Sequence, residues 1–217
     1  MPLDALLAEI RACRACEGEL PHAPRPVITV TAHTRLLICG QAPGRRVHES
    51  GVPFDDPSGD RLRGWMGVDR RTFYDHPAIG VAAMAFCYPG TAPNGGGDYA
   101  PPKQCAALWR GALMENLKNV ELTLLLGRPA QLWALGAAAK PSMDLQVRAW
   151  RKTLPALLAL PHPSWRNTAW LKRNPWFDAE VTPYLQDRVA EMLSSPSGGT
   201  PKSPPSCGDT KGAGPCV

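Results

Sequence analysis

The sequence has no long apolar run and no pattern of a secretory leader. Among its 217 residues, no stretch approaches the roughly 20 consecutive apolar residues that span a bilayer. The first residues also lack the basic segment followed by an apolar segment that marks a signal peptide. These absences argue against a membrane or secreted protein, and we expect a cytoplasmic protein with no membrane partner.

The sequence also has too little charge of one sign to define its partner, and it has an odd number of cysteines. The net charge of +5 and the pI of about 8.9 permit an anionic partner without requiring one. Seven cysteines in a chain without a secretory signal favour reduced thiols or metal ligands over a disulfide framework. With 44% hydrophobic residues, the chain is long and apolar enough for one domain with a substantial core.

Four short apolar runs alternate with helical patterns along the chain. Short apolar runs bounded by glycine or proline are typical of strands buried on both faces of a parallel sheet. Their alternation with helices predicts an α/β fold with three layers, αβα, around a central four-stranded parallel sheet. The predicted strands cover residues 36–39, 79–86, 122–126 and 157–160. The predicted helices cover residues 3–15, 101–117, 129–138, 144–152 and 178–193, and a further helix is capped by Ser58.

The composition changes at residue 194. Residues 194–217 consist mainly of Ser, Gly, Pro, Thr and Lys, with almost no apolar side chains. Such a segment buries too little surface to offset the entropy that it loses on ordering. We therefore predict one domain over residues 1–193 and a disordered tail over residues 194–217, which carries Cys207 and Cys216.

Two short loops follow directly after predicted strands. The first covers residues 40–44, Gly-Gln-Ala-Pro-Gly, and the second covers residues 162–164, His-Pro-Ser. In an open parallel sheet, ligands bind in the crevice at the carboxyl ends of the strands, so we expect both loops to face one pocket. The first loop lacks the Lys-Ser/Thr sequence of a P-loop, which argues against a nucleotide-binding or redox protein.

These loops combine with further segments into a pattern that resembles the uracil-DNA glycosylase superfamily, nearest to its iron–sulfur branch. The further segments are residues 51–54, residues 86–87 and four spaced cysteines, and the resemblance covers about residues 10–190. It implies a uracil-DNA glycosylase-like fold and a monomeric, monofunctional enzyme of base-excision repair. Such an enzyme flips uracil out of DNA and hydrolyses the bond between the base and deoxyribose. The implied partner is DNA that contains uracil or abasic sites.

The resemblance also implies roles for residues in and after the two loops. Phe54 takes the place of the aromatic residue that stacks on the base, and His162 takes the place of the donor to O2 of the departing uracil. From the residues alone, Phe54 is also compatible with a core side chain that pins the loop, and a His-Pro sequence is most often a turn. The implied substrate-binding residues are Gly40, Ala42, Pro43, Gly44, Phe54, Asp56, Ser58 and Ser164.

The sequence departs from the family at the position that activates the attacking water. The best-known branch has Asp at the position of Ala42, and the iron–sulfur branch has Glu at the position of Gln41. Gln41 orients a water molecule but cannot accept its proton. We predict that His48, a side chain that titrates near neutral pH, takes this role or contacts the sugar. Acidic loop residues are often only solvated or capping groups. Further candidate bases are Glu49, Asp55 and Asp56.

A second departure concerns recognition of the base. The family usually has Asn near the end of the second strand, whereas residues 82–86 here contain no amide side chain. Uracil would then be recognised by backbone groups, or by Asn94 or Asn167. This departure leaves room for xanthine, hypoxanthine or a modified pyrimidine as the base. Together with the missing carboxylate, it also leaves open a protein that binds uracil-containing or abasic DNA without turnover.

Four of the cysteines form a spaced set that resembles the [4Fe–4S] ligands of the iron–sulfur branch. Cys13 and Cys16 form a tight pair, whereas Cys87 and Cys105 are single residues further along the chain. Four thiolates hold either an iron–sulfur cluster or a structural zinc ion, and zinc usually takes two tight pairs. We expect the cluster, in a structural role, with zinc or plain reduced thiols as the alternatives. Cys39 lies inside a predicted strand and is expected to be a small buried apolar residue.

Basic and aromatic residues flank both loops. We predict that they contact DNA, and that the residues after His162 fill the gap left by the flipped base. The alternative is an ordinary solvated charged surface. The predicted DNA-binding residues are Arg45, Arg46, Trp165 and Arg166.

Overall fold

A four-stranded parallel sheet lies at the centre of the protein. The structure is a computed structural model, and it describes residues 1–93 and 97–194 of the chain. The strands are β1 (Leu36–Cys39), β2 (Ile79–Val81), β3 (Thr91–Ala92), β4 (Gly97–Asp98), β5 (Leu122–Leu126) and β6 (Leu157–Leu160). Four of them form the sheet, in the order β2-β1-β5-β6 and all parallel, while β3 and β4 pair separately as an antiparallel ribbon.

Helices cover most of the remaining described residues. The α-helices are α1 (Leu3–Ala12), α2 (Arg45–Ser50), α3 (Pro57–Met66), α4 (Arg70–Asp75), α5 (Lys103–Asn116), α6 (Arg128–Leu135), α7 (Met143–Arg148), α8 (Thr168–Arg173) and α9 (Thr182–Ser194). Shorter helical turns cover Gly136–Ala138, Trp150–Thr153, Trp165–Asn167 and Phe177–Val181. Within the described ranges, no helix is both long and apolar enough to cross a membrane.

Both faces of the sheet are covered, which confirms the predicted three-layer fold. In β1, Leu36 and Ile38 belong to one core and Leu37 to another, because successive side chains of a strand point to opposite faces. The first core is covered by α3, α4, α7, α8 and α9. Helices α1, α5 and α6 contribute buried side chains to the clusters on the other face. This burial on both faces explains why the strand sequences are apolar throughout.

The strand order places a crevice between β1 and β5. From β1 the chain first moves outward to β2, and it then returns past β1 to β5 and β6. The connections on either side of the β1–β5 pair therefore run in opposite directions. Such a reversal opens a crevice at the carboxyl ends of the strands, where ligands bind in α/β proteins.

Several predicted elements differ from the observed ones. The predicted strand over residues 79–86 stays in the sheet only to Val81, because the next residues form hydrogen bonds to the loop after β1. The prediction that Ser58 caps a helix is wrong: Asp56 caps α3, and its side chain accepts a hydrogen bond from the N–H of Gly59 at 2.8 Å. Ser194 belongs to α9 rather than to the predicted tail, and residues 195–217, with Cys207 and Cys216, lie outside the described residues.

Candidate active site

A cavity of about 640 Å³ opens at the carboxyl ends of β1 and β6. Its walls are the loop after β1, the loop after β6 and the β3–β4 ribbon. The volume is in the range of small-molecule binding sites. Every residue predicted to bind substrate or DNA lines this cavity, and so do two of the three predicted catalytic residues, Gln41 and His162. The structure therefore brings the two loops to one site, while the role of each residue stays a prediction.

The loop after β1 is held by backbone hydrogen bonds from the segment after β2. The N–H of Met84 donates to the carbonyl of Gly40 at 2.9 Å, and the N–H of Ala85 donates to the carbonyl of Gln41 at 3.1 Å. The Gln41 side chain donates through Nε2 to the carbonyl of Tyr99 at 3.2 Å. Because this bond fixes the amide group, Oε1 is the acceptor that Gln41 offers to a ligand or a water molecule.

Phe54 lines the cavity in a left-handed backbone conformation, with φ of 56°. Its ring lies beside the loop after β1, where Cζ is 3.8 Å from the position that a Cβ on Gly40 would take. The ring also meets Phe73 edge-on, with 6.3 Å between the centroids. Phe54 thus contacts the core and the cavity at once, so it has both the packing contact and the cavity surface that the sequence interpretations required.

His162 is fixed by its own loop. The N–H of Ser164 donates to Nδ1 at 3.2 Å, and the Asn167 side chain donates to the His162 carbonyl at 2.7 Å. Gly127, directly after β5, lies beside the His162 side chain: a Cβ at Gly127 would be 3.4 Å from the Cβ of His162. Because Nδ1 accepts a hydrogen bond, the proton of the neutral ring lies on Nε2.

Burial keeps the His162 ring neutral at pH 7. It lowers the pKa of His162 below its ordinary value, because the charged ring would lose its hydration. The negative charges of Asp56 and Asp98 act in the opposite direction and raise that pKa by smaller amounts. A neutral imidazole with its proton on Nε2 is a hydrogen-bond donor for a group that gains negative charge.

Asp98 lines the cavity and was not among the predicted site residues. It lies on β4, directly opposite Thr91 on β3, and Thr91 donates its hydroxyl proton to Asp98 Oδ1 at 2.8 Å. The nearby sequence Asn94-Gly95 is a signal for a hairpin turn, and it would have predicted that the two ends of this loop pair. The sequence does not show that the ribbon lies against the loop after β1.

His48 is not among the residues that line the cavity. It lies on α2, and its ring packs beside His22 and Tyr88, with centroid distances of 5.3 and 5.8 Å. Burial and the charges of His22 and Arg25 lower the pKa of His48. The prediction that His48 activates the water therefore gains no support from this geometry. The reason is that residues 45–50 form helix α2, in a stretch where the sequence predicts no regular structure. On this helix the His48 ring lies outside the lining of the cavity.

The backbone of residues 82–85 is used to hold the protein together. The carbonyls of Ala82 and Ala83 both accept from the buried guanidinium of Arg110, at 2.9 and 2.8 Å. The next two N–H groups bind the loop after β1. These four groups are thus engaged within the protein, while recognition of the base by backbone groups stays a prediction.

Of the two asparagines considered for base recognition, Asn167 lines the cavity. Its Nδ2 is engaged by the carbonyl of His162, which leaves Oδ1 as its acceptor for a ligand. Asn94 lies outside the described residues.

The rim of the cavity is basic and carries one large exposed aromatic ring. Trp165 is 75% exposed, and the Arg166 guanidinium lies 5.4 Å from the centroid of its ring. Arg166 also lies against Gly97 of β4, where a Cβ would overlap the guanidinium group. Arg45 and Arg46 are exposed on α2, and Arg45 forms an ion pair with Glu49 at 2.9 Å.

The four spaced cysteines line a second, much smaller cavity of about 20 Å³. It lies between the end of α1, the segment after β2 and the start of α5. Burial raises the pKa of Cys87 to about 12. Cys39 lies apart from this set: it is buried in β1, 3.7 Å from the sulfur of Met84 and 3.2 Å from Arg110.

Several N–H groups point to the sulfurs of this cysteine site. The Gln104 side chain donates to Cys16 Sγ at 3.1 Å, and the backbone N–H of Phe86 donates to Cys105 Sγ at 3.4 Å. Hydrogen bonds to sulfur are usual around iron–sulfur clusters. Within the described ranges, however, no three His, Cys, Asp or Glu side chains are arranged to hold a single metal ion. The N–H donors to the sulfurs are the feature of this site that fits a cluster, and the identity of the bound group stays a prediction.

The fold and the cavity together define a class of α/β proteins. Its members bind a ligand at the carboxyl edge of a parallel sheet, and this one can donate a hydrogen bond from a neutral imidazole to that ligand. A model of the uracil DNA glycosylase superfamily matches residues 28–186, which is most of the chain. The chain belongs to this superfamily. It is therefore a DNA glycosylase in general terms, a hydrolase of DNA repair whose partner is DNA.

Proposed function

We propose that the protein removes uracil from DNA by hydrolysing the N-glycosidic bond after the base has flipped into the cavity. The observation that carries this proposal is His162, a neutral donor held in the same cavity as the ring of Phe54. A flipped base loses its stacking in the duplex, at a cost of a few kcal/mol. Stacking on an aromatic ring is worth roughly 1–3 kcal/mol, so Phe54 offsets much of that cost.

His162 acts on the leaving base. When the bond between N1 and C1′ breaks, its electron pair stays on the base, and negative charge develops mainly on O2. The Nε2–H of His162 donates to that oxygen and lowers the barrier, as an oxyanion hole does. A neutral ring suits this task because it donates the hydrogen bond without needing a negatively charged partner of its own. Asn167 Oδ1 accepts from N3–H of uracil, which has a proton at that position.

The basic rim holds the DNA. Arg45, Arg46 and Arg166 contact phosphates, and such contacts supply affinity without sequence preference. Trp165 enters the duplex where the base has left, because it is the large exposed ring beside the cavity. Ser164 and the backbone of the loop after β1 hold the phosphate and the base.

We also propose that Cys13, Cys16, Cys87 and Cys105 hold a [4Fe–4S] cluster. The support is their position around one cavity, with N–H donors to the sulfurs. When bound, the cluster would supply a structural tie between three segments rather than a step in the cleavage of the base. The chain's own residues in the large cavity perform that cleavage.

Excision from a labelled duplex with a single uracil tests the proposed function. The wild-type protein should leave abasic sites that alkali cleaves, and His162→Ala should lower the single-turnover rate by about 100- to 1,000-fold. His33→Ala is the matched control, since His33 is exposed in the turn before the amino end of β1. Its rate should equal that of the wild type.

Two outcomes would contradict the proposal. If the wild-type protein shifts the DNA on a gel but cleaves no site, it binds uracil-containing or abasic DNA without turnover. If it excises xanthine or hypoxanthine and leaves uracil, the glycosylase stands but the assignment of uracil is wrong.

A further inference from the structure

Three acidic residues near the first loop are already engaged in other contacts. Asp55 pairs with Arg70 at 2.7 Å. Glu49 pairs with Arg45, and Asp56 Oδ1 caps α3. Asp55 and Glu49 are also absent from the lining of the large cavity. The loop after β1 has no carboxylate of its own, so a proton acceptor for the attacking water must come from another segment.

Asp98 is held in the cavity by a chain of hydroxyl groups. Thr91 uses its proton to donate to Asp98 Oδ1, so the hydrogen bond between Tyr88 and Thr91 takes its proton from Tyr88. Tyr88 is buried, with 3% of its surface exposed, and so anchors this chain of hydroxyl groups. The Asp98 carboxylate is therefore oriented by the Thr91 hydroxyl, which is itself fixed by Tyr88.

The second oxygen of Asp98 faces the loop after β1. Oδ2 lies 3.8 Å from the position that a Cβ on Gly44 would take. The absence of a side chain at Gly44 leaves room between the loop and the carboxylate. Asp98 and His162 line the same cavity, and the charge of Asp98 raises the pKa of His162.

Tyr99, the residue after Asp98, fixes Gln41 near the same carboxylate. The carbonyl of Tyr99 accepts the hydrogen bond that fixes the Gln41 amide group, at 3.2 Å. One segment thus positions two acceptors, Asp98 Oδ2 and Gln41 Oε1. A water molecule has two protons to donate, one to each, and its oxygen lone pair then remains for attack.

We propose that Asp98 accepts the proton of the attacking water and that Gln41 orients this water. The inference rests on the proposed glycosylase function. The water oxygen forms a bond to C1′ as the bond from C1′ to N1 of the base breaks. The electron pair of that bond leaves with the base, whose O2 is stabilised by His162. The proton of the water passes to the Asp98 carboxylate and then to solvent, while the base takes a proton from solvent. Thr91 is a positioning residue for Asp98.

Single-turnover excision and DNA binding, measured on the same variants, test this inference. Asp98→Asn should lower the excision rate at least about 100-fold, while the affinity for a duplex with a non-cleavable 2′-fluorinated deoxyuridine stays within about threefold of the wild type. Added formate should restore part of the rate of Asp98→Ala, because it supplies a carboxylate in the vacated space. Asp75→Asn, an exposed carboxylate on α4 outside the cavity, is the matched control.

Two substitutions at Thr91 distinguish a hydroxyl that positions Asp98 from one that has only a structural role. Thr91→Val removes the hydroxyl and should slow excision, whereas Thr91→Ser keeps the hydroxyl and should retain the wild-type rate. Melting temperatures of all variants establish that each is folded.

The outcomes separate this inference from the proposed function. If the wild type excises uracil and Asp98→Asn keeps its rate, the inference is wrong and the glycosylase function stands. If Asp98→Asn loses affinity and rate by the same factor, Asp98 binds the substrate and does not accept the proton. If the wild type excises no base, both the proposed function and this inference are wrong.

Discussion

Phe54 has an unusual backbone conformation that its neighbours enforce. Among the described residues it is the only non-glycine residue with positive φ, a conformation that costs about 1–3 kcal/mol. Gly59 of α3 permits it, since a Cβ at Gly59 would overlap the Phe54 carbonyl oxygen. Arg63 donates to the same oxygen at 3.3 Å. The strained backbone thus belongs to the residue whose ring is proposed to stack on the base.

Gly59→Ala should destabilise the protein and slow excision. The added methyl group forces the Phe54 carbonyl to move, which should lower the free energy of unfolding by about 3 kcal/mol. A displacement of the ring by about 1 Å should reduce the single-turnover rate about 100-fold. Urea unfolding and excision of uracil measure the two effects.

The control lies five residues later in the same helix. A Cβ at Gly64 meets no atom within 4 Å, so Gly64→Ala should leave excision unchanged and stabilise α3 by up to about 1 kcal/mol. If both substitutions behave alike, the close contact at Gly59 does not maintain the Phe54 conformation.

The two loops of the site could be located from the sequence, whereas the positions of His48 and Asp98 relative to the cavity could not. Apolar runs mark the carboxyl ends of β1 and β6, so the meeting of Gln41 and His162 in one cavity follows from sheet topology. The directions of His48 and Asp98 depend on α2 and on the position of the β3–β4 ribbon. Those are set by tertiary contacts such as the one from Tyr88 to Thr91, which no local pattern encodes.

At the scale of elements, α9 is attached to the sheet by an ion-pair network. Glu121, just before β5, pairs with Arg35 at 2.6 Å and with Arg188 of α9 at 3.0 Å. Arg35 also donates to the carbonyl of Met192 at 2.6 Å. The Arg35, Glu121 and Arg188 side chains are 6%, 19% and 12% exposed, so their charges depend on one another more than on water.

Glu121→Gln should therefore be strongly destabilising. It leaves the Arg35 guanidinium poorly hydrated and without its carboxylate, which should lower the free energy of unfolding by about 3 kcal/mol in urea titrations. Glu180→Gln removes an exposed partner of Arg151 and should cost less than about 1 kcal/mol. Equal losses from the two substitutions would mean that the Glu121 network contributes no more than a surface pair.

The run at residues 79–86 shows why the sequence could predict strands but not their lengths. All eight residues are buried, as a strand between two helical layers requires. Only Ile79–Val81 pairs with β1, because Arg110 and the loop after β1 take the backbone groups that follow. Burial alone does not distinguish a strand from a buried segment that supports a loop.

At the scale of the whole molecule, we propose different roles for the two cavities, namely cleavage of the base and cohesion of the fold. The large cavity is formed by the carboxyl edge of the sheet, and the cysteine site lies between α1, α5 and the segment after β2. Cys13 and Cys16 precede the matched residues 28–186. A cluster held by all four thiolates would therefore attach this first part of the chain to the domain.

Removal of one proposed ligand should release the cluster and destabilise the whole protein. Anaerobically purified wild type should be brown, with about four iron and four sulfide ions per chain. Cys105→Ser should lose most of this iron. A loss of about 3 kcal/mol in a domain of this size should lower the melting temperature by about 6–12 °C.

Cys207→Ser, a cysteine that is not part of the proposed ligand set, is the control and should keep both iron and melting temperature. About one zinc ion per chain without iron would contradict the cluster and identify a zinc site. No metal at all would identify a site of reduced thiols, in which packing around Cys105 holds the segments together.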